Sequence, residues 1–256
     1  MSDGAMSERV VTACLLIIGN EILSGRTRDA NLAFLGQRLN ERGIRLTEAR
    51  VIPDIEARIV ATLNEVRPAF DYVFTTGGIG PTHDDITAEC VAKAFGVPLI
   101  ENQEARALME AYYPPGGLTA ARRRMARTPQ GASLIGNPVS AAPGFRMGNV
   151  FVMAGIPNIM QAMFESLAPQ LEGGRPLGSR SITVVLPESV IAPGLTALQA
   201  RYPDLEIGSY PFHRGALFGT TLVLRGTDAA RLAGAVTELA ALARELGADP
   251  QEGEPA

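Results

Sequence analysis

Residues 75–87, Thr-Thr-Gly-Gly-Ile-Gly-Pro-Thr-His-Asp-Asp-Ile-Thr, narrow the choice of fold more than any other stretch of the chain. Ahead of them, Tyr72-Val73-Phe74 is the short apolar run of a buried strand, and residues 88–95 after them have helical spacing. A strand that ends in three glycines and passes at once into a helix points backbone N–H groups at an anion. Two adjacent carboxylates, Asp84 and Asp85, share the turn. Carboxylates repel a phosphate unless a cation lies between them. The string therefore predicts a phosphate-bearing ligand held with a divalent metal such as Mg²⁺, with Asp84 and Asp85 as the metal ligands. Gly77, Gly78 and Gly80 are the expected N–H donors, and Thr76, Pro81, Thr82 and Thr87 complete the binding loop.

The preceding residues repeat the same alternation. Residues 10–18 form a continuous apolar run, the pattern of a strand covered on both faces. Asp29 is placed to cap a helix running to about Arg42, with Leu32, Leu35 and Leu39 on one face and Gly43 as its stop. Residues 45–52 read as a second strand. Asp54 reads as the cap of a second helix with Ile55, Ile59, Leu63 and Val66 inward, and residues 71–76 read as a third strand. This βαβαβ order predicts a mostly parallel sheet with right-handed crossovers. Ligands of such sheets bind beyond the carboxyl ends of the strands, so topology gathers Glu21, Asp54 and Asp85 along one edge.

Residues 97–130 read as mostly helical, broken by Pro114-Pro115-Gly116-Gly117. Residues 141–147 and 150–153 read as a hairpin about Gly148-Asn149, followed by a Met-rich helix from Pro157 to about Ala168. Gly173-Gly174-Arg175-Pro176-Leu177-Gly178 has the composition of a linker. It separates a first domain, residues 9–172, from a smaller α+β domain, residues 179–248, with a βαββα pattern. Its expected strands are 181–186, 205–210 and 217–225, and its helices lie near 194–201 and from Asp228 to about Leu246. Residues 1–8 and 251–256 are expected to be loose.

The chain has 256 residues, 46% hydrophobic and 20% charged, which is globular rather than disordered composition. Its net charge of −4 argues against nucleic acid as a partner, since such domains carry a basic surface. The run at 10–18 is too short to span a bilayer. The leader lacks the cationic region and small-residue cleavage pattern of a signal peptide. The expectation is a cytoplasmic protein with no membrane partner. Cys14 and Cys90 fall in apolar stretches and read as buried free thiols of a reducing compartment.

Each candidate residue also has a plainer reading. The glycine turn is not a phosphate loop of the Gly-Lys-Ser/Thr type and lacks dinucleotide Gly-x-Gly-x-x-Gly spacing. It could be a tight strand-to-helix turn with one aspartate as cap, but a cap needs one carboxylate and the turn has two. Asp54 is either a helix cap or a catalytic carboxylate beside Asp85. Glu21, in Gly19-Asn20-Glu21, is a charge at a strand end, either bound to ligand or paired within the fold. Asp29 and Asn31 cap the next helix or face the ligand. Arg122, Arg123, Arg124 and Arg127 form a solvated face, or else Arg124 meets a phosphate as a planar donor. His83 contacts ligand or stands in solvent, and His213 reads as part of a hairpin turn. Two histidines exclude a histidine-rich zinc site, and no Gly-x-Ser-x-Gly nucleophile elbow is present.

Taken in order, Gly19-Asn20-Glu21-Ile22-Leu23-Ser24-Gly25, Asp29-Ala30-Asn31, Pro53-Asp54, residues 75–87, Ala126 with Pro129, Asn137-Pro138, Ala142-Pro143-Gly144-Phe145 and Ala154-Gly155-Ile156-Pro157 resemble the MoaB/Mog molybdopterin-binding domain family. The stretches are similar above all to the N-terminal part of the competence/damage-inducible CinA proteins. They also resemble the molybdopterin-binding-like domain of FAD synthases, and the C-terminal part resembles the small domain that follows in CinA proteins. The resemblance implies a three-layer α/β/α fold and a homo-oligomer, dimeric in the CinA branch and trimeric in the Mog branch. It implies important acidic residues at Asp54 and Asp85. It also extends the binding set to Gly19, Asn20, Asn31, Pro143, Gly144, Gly155 and Pro157. Mog-type members adenylylate molybdopterin with Mg-ATP, and CinA-type members are associated with metal-dependent hydrolysis of ADP-ribose and related pyrophosphates. Two departures stand out. CinA-type members continue Pro-x-Glu-Met where this chain has Pro157-Asn158-Ile159-Met160, and the usual Asp of Gly-Asp-Glu is Asn20. The sequence given stops ahead of the deamidase domain of full-length CinA proteins, so no deamidase activity is expected.

The leading expectation is a metal-dependent pyrophosphatase of ADP-ribose- or FAD-type dinucleotides, with Glu21, Asp54 and Asp85 as catalytic carboxylates. The alternatives are a module that binds molybdopterin or a nucleotide without turnover, and a molybdopterin adenylyltransferase.

Overall fold

A computed structural model of the chain describes residues 9–214 and 217–253. The expected loose tail at 1–8 lies outside the described residues. The chain divides into two compact units between Gly174 and Arg175.

The first unit runs β1 (Val11–Ile18), α1 (Asn20–Leu23), α2 (Asn31–Glu41), β2 (Ile44–Ile52), α3 (Glu56–Val66), β3 (Tyr72–Thr76), α4 (Thr87–Phe95), β4 (Leu99–Glu101), α5 (Gln103–Tyr112), α6 (Ala120–Arg123), β5 (Arg127–Pro129), β6 (Ser133–Ile135), β7 (Gly144–Met147), β8 (Val150–Met153) and α7 (Pro157–Leu167). Among the described residues, six strands form one sheet in the order β2-β1-β3-β8-β7-β6. β1 is parallel to β2 and β3, β3 is parallel to β8, and β7 and β6 extend the sheet antiparallel. Successive side chains of β1 go to opposite cores. Ala13, Leu15 and Ile17 pack with Leu35, Leu39, Phe74 and Phe164 under α2 and α7, whereas Cys14, Leu16 and Ile18 pack with Ile59, Leu63 and Val91 under α3 and α4. Burial on both faces explains why this strand shows no polar alternation. The rings of Phe74 and Phe151 stand 5.3 Å apart at the centre of the first core. Each such side chain contributes about 1.5–3 kcal/mol by leaving water.

Several local expectations need correction. The 97–130 stretch is not mostly helical: Leu99–Glu101 and Arg127–Pro129 pair as a two-stranded antiparallel sheet around α5 and α6. Asp54 does not cap α3, whose N-cap position is Ile55 with no side-chain bond. Asp29 caps α2 from one residue further out, since Ala30 occupies the cap position and Asp29 Oδ1 accepts the Leu32 N–H at 2.9 Å.

The second unit runs β9 (Gly178–Val184), α8 (Glu188–Arg201), β10 (Glu206–Arg214), β11 (Leu217–Gly226), α9 (Ala229–Glu245) and β12 (Gln251–Glu252). Its antiparallel sheet has the order β10-β11-β9-β12, and Ile191, Leu198, Leu232 and Leu239 of the helices pack onto Ile182 and Leu222. α8 begins six residues earlier than expected and carries Pro193 inside it, forfeiting one backbone hydrogen bond. His213 pairs with Phe218 in the ladder rather than lying in the turn. Residues 251–252 are not loose: they pair with Thr183 and Ile182, and the Thr183 hydroxyl donates to the Gly253 carbonyl at 2.7 Å. Residues 254–256 lie outside the described residues. No helix among the described residues is long and apolar enough to cross a membrane.

Both cysteines are fully buried. Burial pushes the Cys14 thiol up to about 11, and pushes Cys90 up to about 12. Thiolate is the reactive form. A thiol-exchange reagent at pH 8 is therefore expected to find no reactive cysteine in the native protein and two after denaturation. Rapid native labelling of either residue would contradict this packing.

Candidate active site

β3 ends at Thr76 and the chain enters the glycine turn with Gly77 at φ +102° and Gly78 at φ +68°, backbone that only glycine adopts without strain. Space is as restrictive as torsion. A Cβ on Gly77 would stand 2.1 Å from the Ile18 carbonyl oxygen, and one on Gly78 would stand 2.1 Å from Thr87 Oγ1. The fully buried Thr87 hydroxyl donates to the Gly77 carbonyl at 3.0 Å, and its N–H donates to the Gly78 carbonyl at 3.0 Å. Thr87 thus locks the turn from beneath. The Gly77 N–H is taken by the Met153 carbonyl at 3.1 Å, so it is not the ligand donor the sequence suggested. Among the described residues, the N–H groups of Gly78, Ile79 and Gly80 have no acceptor within the chain.

These three residues line a cleft of about 530 Å³. That volume lies within the roughly 300–1,000 Å³ of small-molecule sites. Glu21, Thr27, Pro81, Asp85, Asn137, Ser140, Gly155 and Pro157 also border it. Asp85 is fixed by its own turn: Oδ2 accepts the Thr82 N–H at 2.7 Å and the Thr82 hydroxyl. A Cβ on Gly80 would come within 2.7 Å of that carboxylate, so the third glycine makes room for the acid. Glu21 is exposed rather than buried, and its carboxylate folds back over Gly19, where a Cβ would stand 2.5 Å away. Asp84 and His83 point outward, with side chains 60% and 96% exposed, and neither lines the cleft. Asp84 is held below the usual carboxylate range by Thr82 first, then by its own amide and by His83. Asp54 serves as a brace: its Oδ2 accepts the Asn20 N–H at 2.8 Å and joins the first two strand-end loops.

The arginine cluster divides. Arg122 donates to the Gly117 carbonyl at 2.7 Å and stacks over Tyr113, and Arg123 donates to both carboxylate oxygens of Glu101 at 2.9 and 3.0 Å. Arg124 and Arg127 have no side-chain partner among the described residues. Both line a small groove with Pro143 that shares Gly78, Gly80 and Asp85 with the cleft. The sequence singled out Arg124. Arg127 it did not, because strand β5, which orients it, is only three residues long.

Other candidates are held within the fold. Asn31, 3% exposed, donates to the Gly155 carbonyl at 2.9 Å and holds that turn against Gly77, while its Oδ1 is buried without a partner. Thr76 is likewise buried, with an unpartnered hydroxyl. Gly144 sits in β7, where a Cβ would meet the Val152 carbonyl at 2.4 Å. In sequence Asn137 stands only within the resemblance and carries no site role, although an Asn-Pro pair signals a turn. Its side-chain oxygen accepts the N–H groups of Val139 and Ser140 at 3.0 and 3.2 Å, and its amide donates to Ser140 Oγ and the Ala142 carbonyl at 2.7 and 2.8 Å. This network shapes one wall of the cleft.

Among the described residues, no three acidic, histidine or cysteine side chains converge as a protein-only metal site requires. Mg²⁺ asks for less, because one or two carboxylates suffice when ligand phosphates and water supply the other oxygens. Asp85 and Glu21 on one cleft fit that arrangement, and the outward Asp84 does not.

Residues 14–173 match the family described as "Probable molybdopterin binding domain", and residues 176–251 match "FAD synthase, middle domain". A CinA-like protein of Desulfosudis oleivorans is 34% identical over 207 residues, covering 76% of this chain and 50% of its own length. A probable FAD synthase of Caenorhabditis elegans is 32% identical over 254 residues, covering 89% of this chain and 49% of its own. The chain thus spans about half of each of these two relatives. The crystal structure of the protein CinA from Thermoplasma acidophilum, described as of unknown function, superposes with a TM-score of 0.58 at 34% identity. That match covers 62% of this chain and 98% of the other.

Proposed function

Because the chain belongs to the probable molybdopterin-binding domain family, we propose that it is a metal-dependent pyrophosphatase that cleaves the phosphoanhydride of ADP-ribose- or FAD-type dinucleotides. The carrying observation is the run of three unpartnered amides, Gly78 to Gly80, on the floor of a cleft that also holds Asp85. Their N–H groups receive the equatorial oxygens of the diphosphate, where preorganised donors stabilise the charge that develops. Arg124 and Arg127 neutralise the far phosphate across the same turn. Asp85 and Glu21 are the carboxylates that would hold Mg²⁺, whose contribution when bound is to offset phosphate charge. Glu21, exposed and free of the brace that occupies Asp54, orients the attacking water. The water oxygen bonds to one phosphorus, the bridging P–O bond breaks, and the products are AMP and a second phosphate monoester. The same reading keeps a cytoplasmic homo-oligomer, dimeric or trimeric, as its setting.

A second reading, a module that binds molybdopterin or a nucleotide without turnover, is favoured by Ile159. An apolar side chain borders the cleft where CinA-type members carry a glutamate. A molybdopterin adenylyltransferase would require ATP and pterin together. The deciding assay incubates the full chain with ADP-ribose or FAD and Mg²⁺, Mn²⁺ or Co²⁺, and follows AMP. Release of AMP that stops on chelation is the expected result. Binding without turnover under every metal would leave the second reading.

A further inference from the structure

The polar floor occupies only part of the cleft. Ile156, Ile159, Met163 and Met125 give it an apolar stretch, while Thr27, Asn137 and Ser140 border it elsewhere. Ile156 is 59% exposed at the N-cap of α7, an uncommon place for a large apolar side chain with no partner over it. Ile159 follows one turn later, half-buried, its inner side resting on the core under α2 and α7. Met163 lies behind it, with Sδ accepting the Ala154 N–H at 3.4 Å, so the wall is fixed to the end of β8. Asn31 and Gly155 brace the same turn from below. A cleft of about 530 Å³ is more than a bare diphosphate fills, and these apolar side chains border the same space.

We propose that Ile159, with Ile156 and Met163, is the specificity-determining wall of the site, and that among adenosine diphosphate conjugates it selects one whose second half ends in a flat, uncharged heteroaromatic ring over one whose second half ends in a bare sugar. The inference rests on the diphosphate reading above and names the group beyond the diphosphate. A planar ring laid on branched aliphatic and thioether side chains removes apolar surface from water on both partners. A sugar would instead leave hydroxyls facing groups that cannot bond them. Ile159→Glu would remove the preference, offering an acceptor to hydroxyls and a charge to a ring.

The test is equilibrium binding of FAD and ADP-ribose to the full chain, with Ca²⁺ replacing the activating metal and melting temperatures measured in parallel. The wild type is expected to bind FAD at least about 10-fold more tightly than ADP-ribose, the discrimination that one added apolar contact supplies. Ile159→Glu is expected to weaken FAD by about 10- to 100-fold and to change ADP-ribose by less than 3-fold. Ile159→Val should keep the preference. Ile156→Ser, at an exposed position that cannot unfold the protein, should lower FAD affinity about 3- to 10-fold by itself. Equal affinity of the wild type for both ligands, or equal losses for both in the folded variants, would overturn the wall as a selector while leaving the diphosphate reading standing. Binding of neither ligand would remove both.

Discussion

Asp85→Asn is expected to lower kcat/KM for dinucleotide hydrolysis by about 10²- to 10³-fold, the size of effect seen when one charged element of a preorganised site is removed. The substitution keeps most of the geometry. The asparagine carbonyl oxygen can still accept the Thr82 N–H that Oδ2 receives at 2.7 Å, so the turn stays closed and the melting temperature should move little. What disappears is the negative charge facing the cleft, and with it the attraction for a divalent ion. The loss should therefore be partly recovered at high metal concentration, which a folding defect would not show. Asp84→Asn is the paired control. In sequence the two carboxylates are equivalent neighbours, yet Asp84 is 60% exposed and borders no cavity at the site. Its replacement should alter kcat/KM by less than about 3-fold, as for surface charges in water. Equal damage from both variants would return the metal to the outer carboxylate and remove the assignment to Asp85.

That pair marks where the sequence stops being legible. Two adjacent aspartates after a glycine turn announce anion and cation chemistry, because few other functions need that composition. Which of them faces the ligand depends on a single hydrogen-bonded turn through Thr82, and no periodicity encodes it. The parallel part of the sheet was readable for a simple reason. β1 and β3 are apolar on both faces, a pattern that only a strand covered by two helix layers tolerates. The antiparallel strand β6 and the pair β4–β5 were not readable, since three residues are too few to establish a period of two. Arg127 was therefore grouped with a helical arginine cluster, although β5 directs it to the groove by the glycine turn. In sequence Glu21 reads as a buried charge at a strand end, because it follows a continuous apolar run. A single helical turn at Asn20–Leu23 carries it out to solvent instead. The apolar wall was hidden for another reason. Met125 and the Ile156–Ile159 turn come from separate segments, and each alone looks like ordinary core composition.

Gly77→Ala is expected to destabilise the first unit by at least about 3 kcal/mol, an effect confined to a short list of mechanisms that includes strain at a special backbone position. Two terms add. The φ of +102° is a conformation L-residues rarely adopt, which costs about 1–2 kcal/mol for a single residue. The new Cβ would also lie 2.1 Å from the Ile18 carbonyl oxygen, which is backbone at the end of the central strand and has no rotamer through which to escape. Relief requires β3 to move away from β1, and their parallel pairing from Ala13–Tyr72 to Ile17–Thr76 resists that movement. Gly96→Ala separates the two terms. Gly96 has a φ of +66° at the end of α4, but nothing lies within 4 Å of its Cβ position. It should pay only the torsional part, about 1 kcal/mol. Denaturant titration of both variants measures the difference. A gap of about 2 kcal/mol or more assigns the cost at Gly77 to the contact with Ile18, since the two backbone penalties differ by only about 1 kcal/mol. Equal losses would mean that the turn yields freely, and amides in a turn that yields cannot be preorganised for a diphosphate. The stability of this one variant thus bears directly on catalysis: rigidity at Gly77 is what holds the next three N–H groups in place before any ligand arrives.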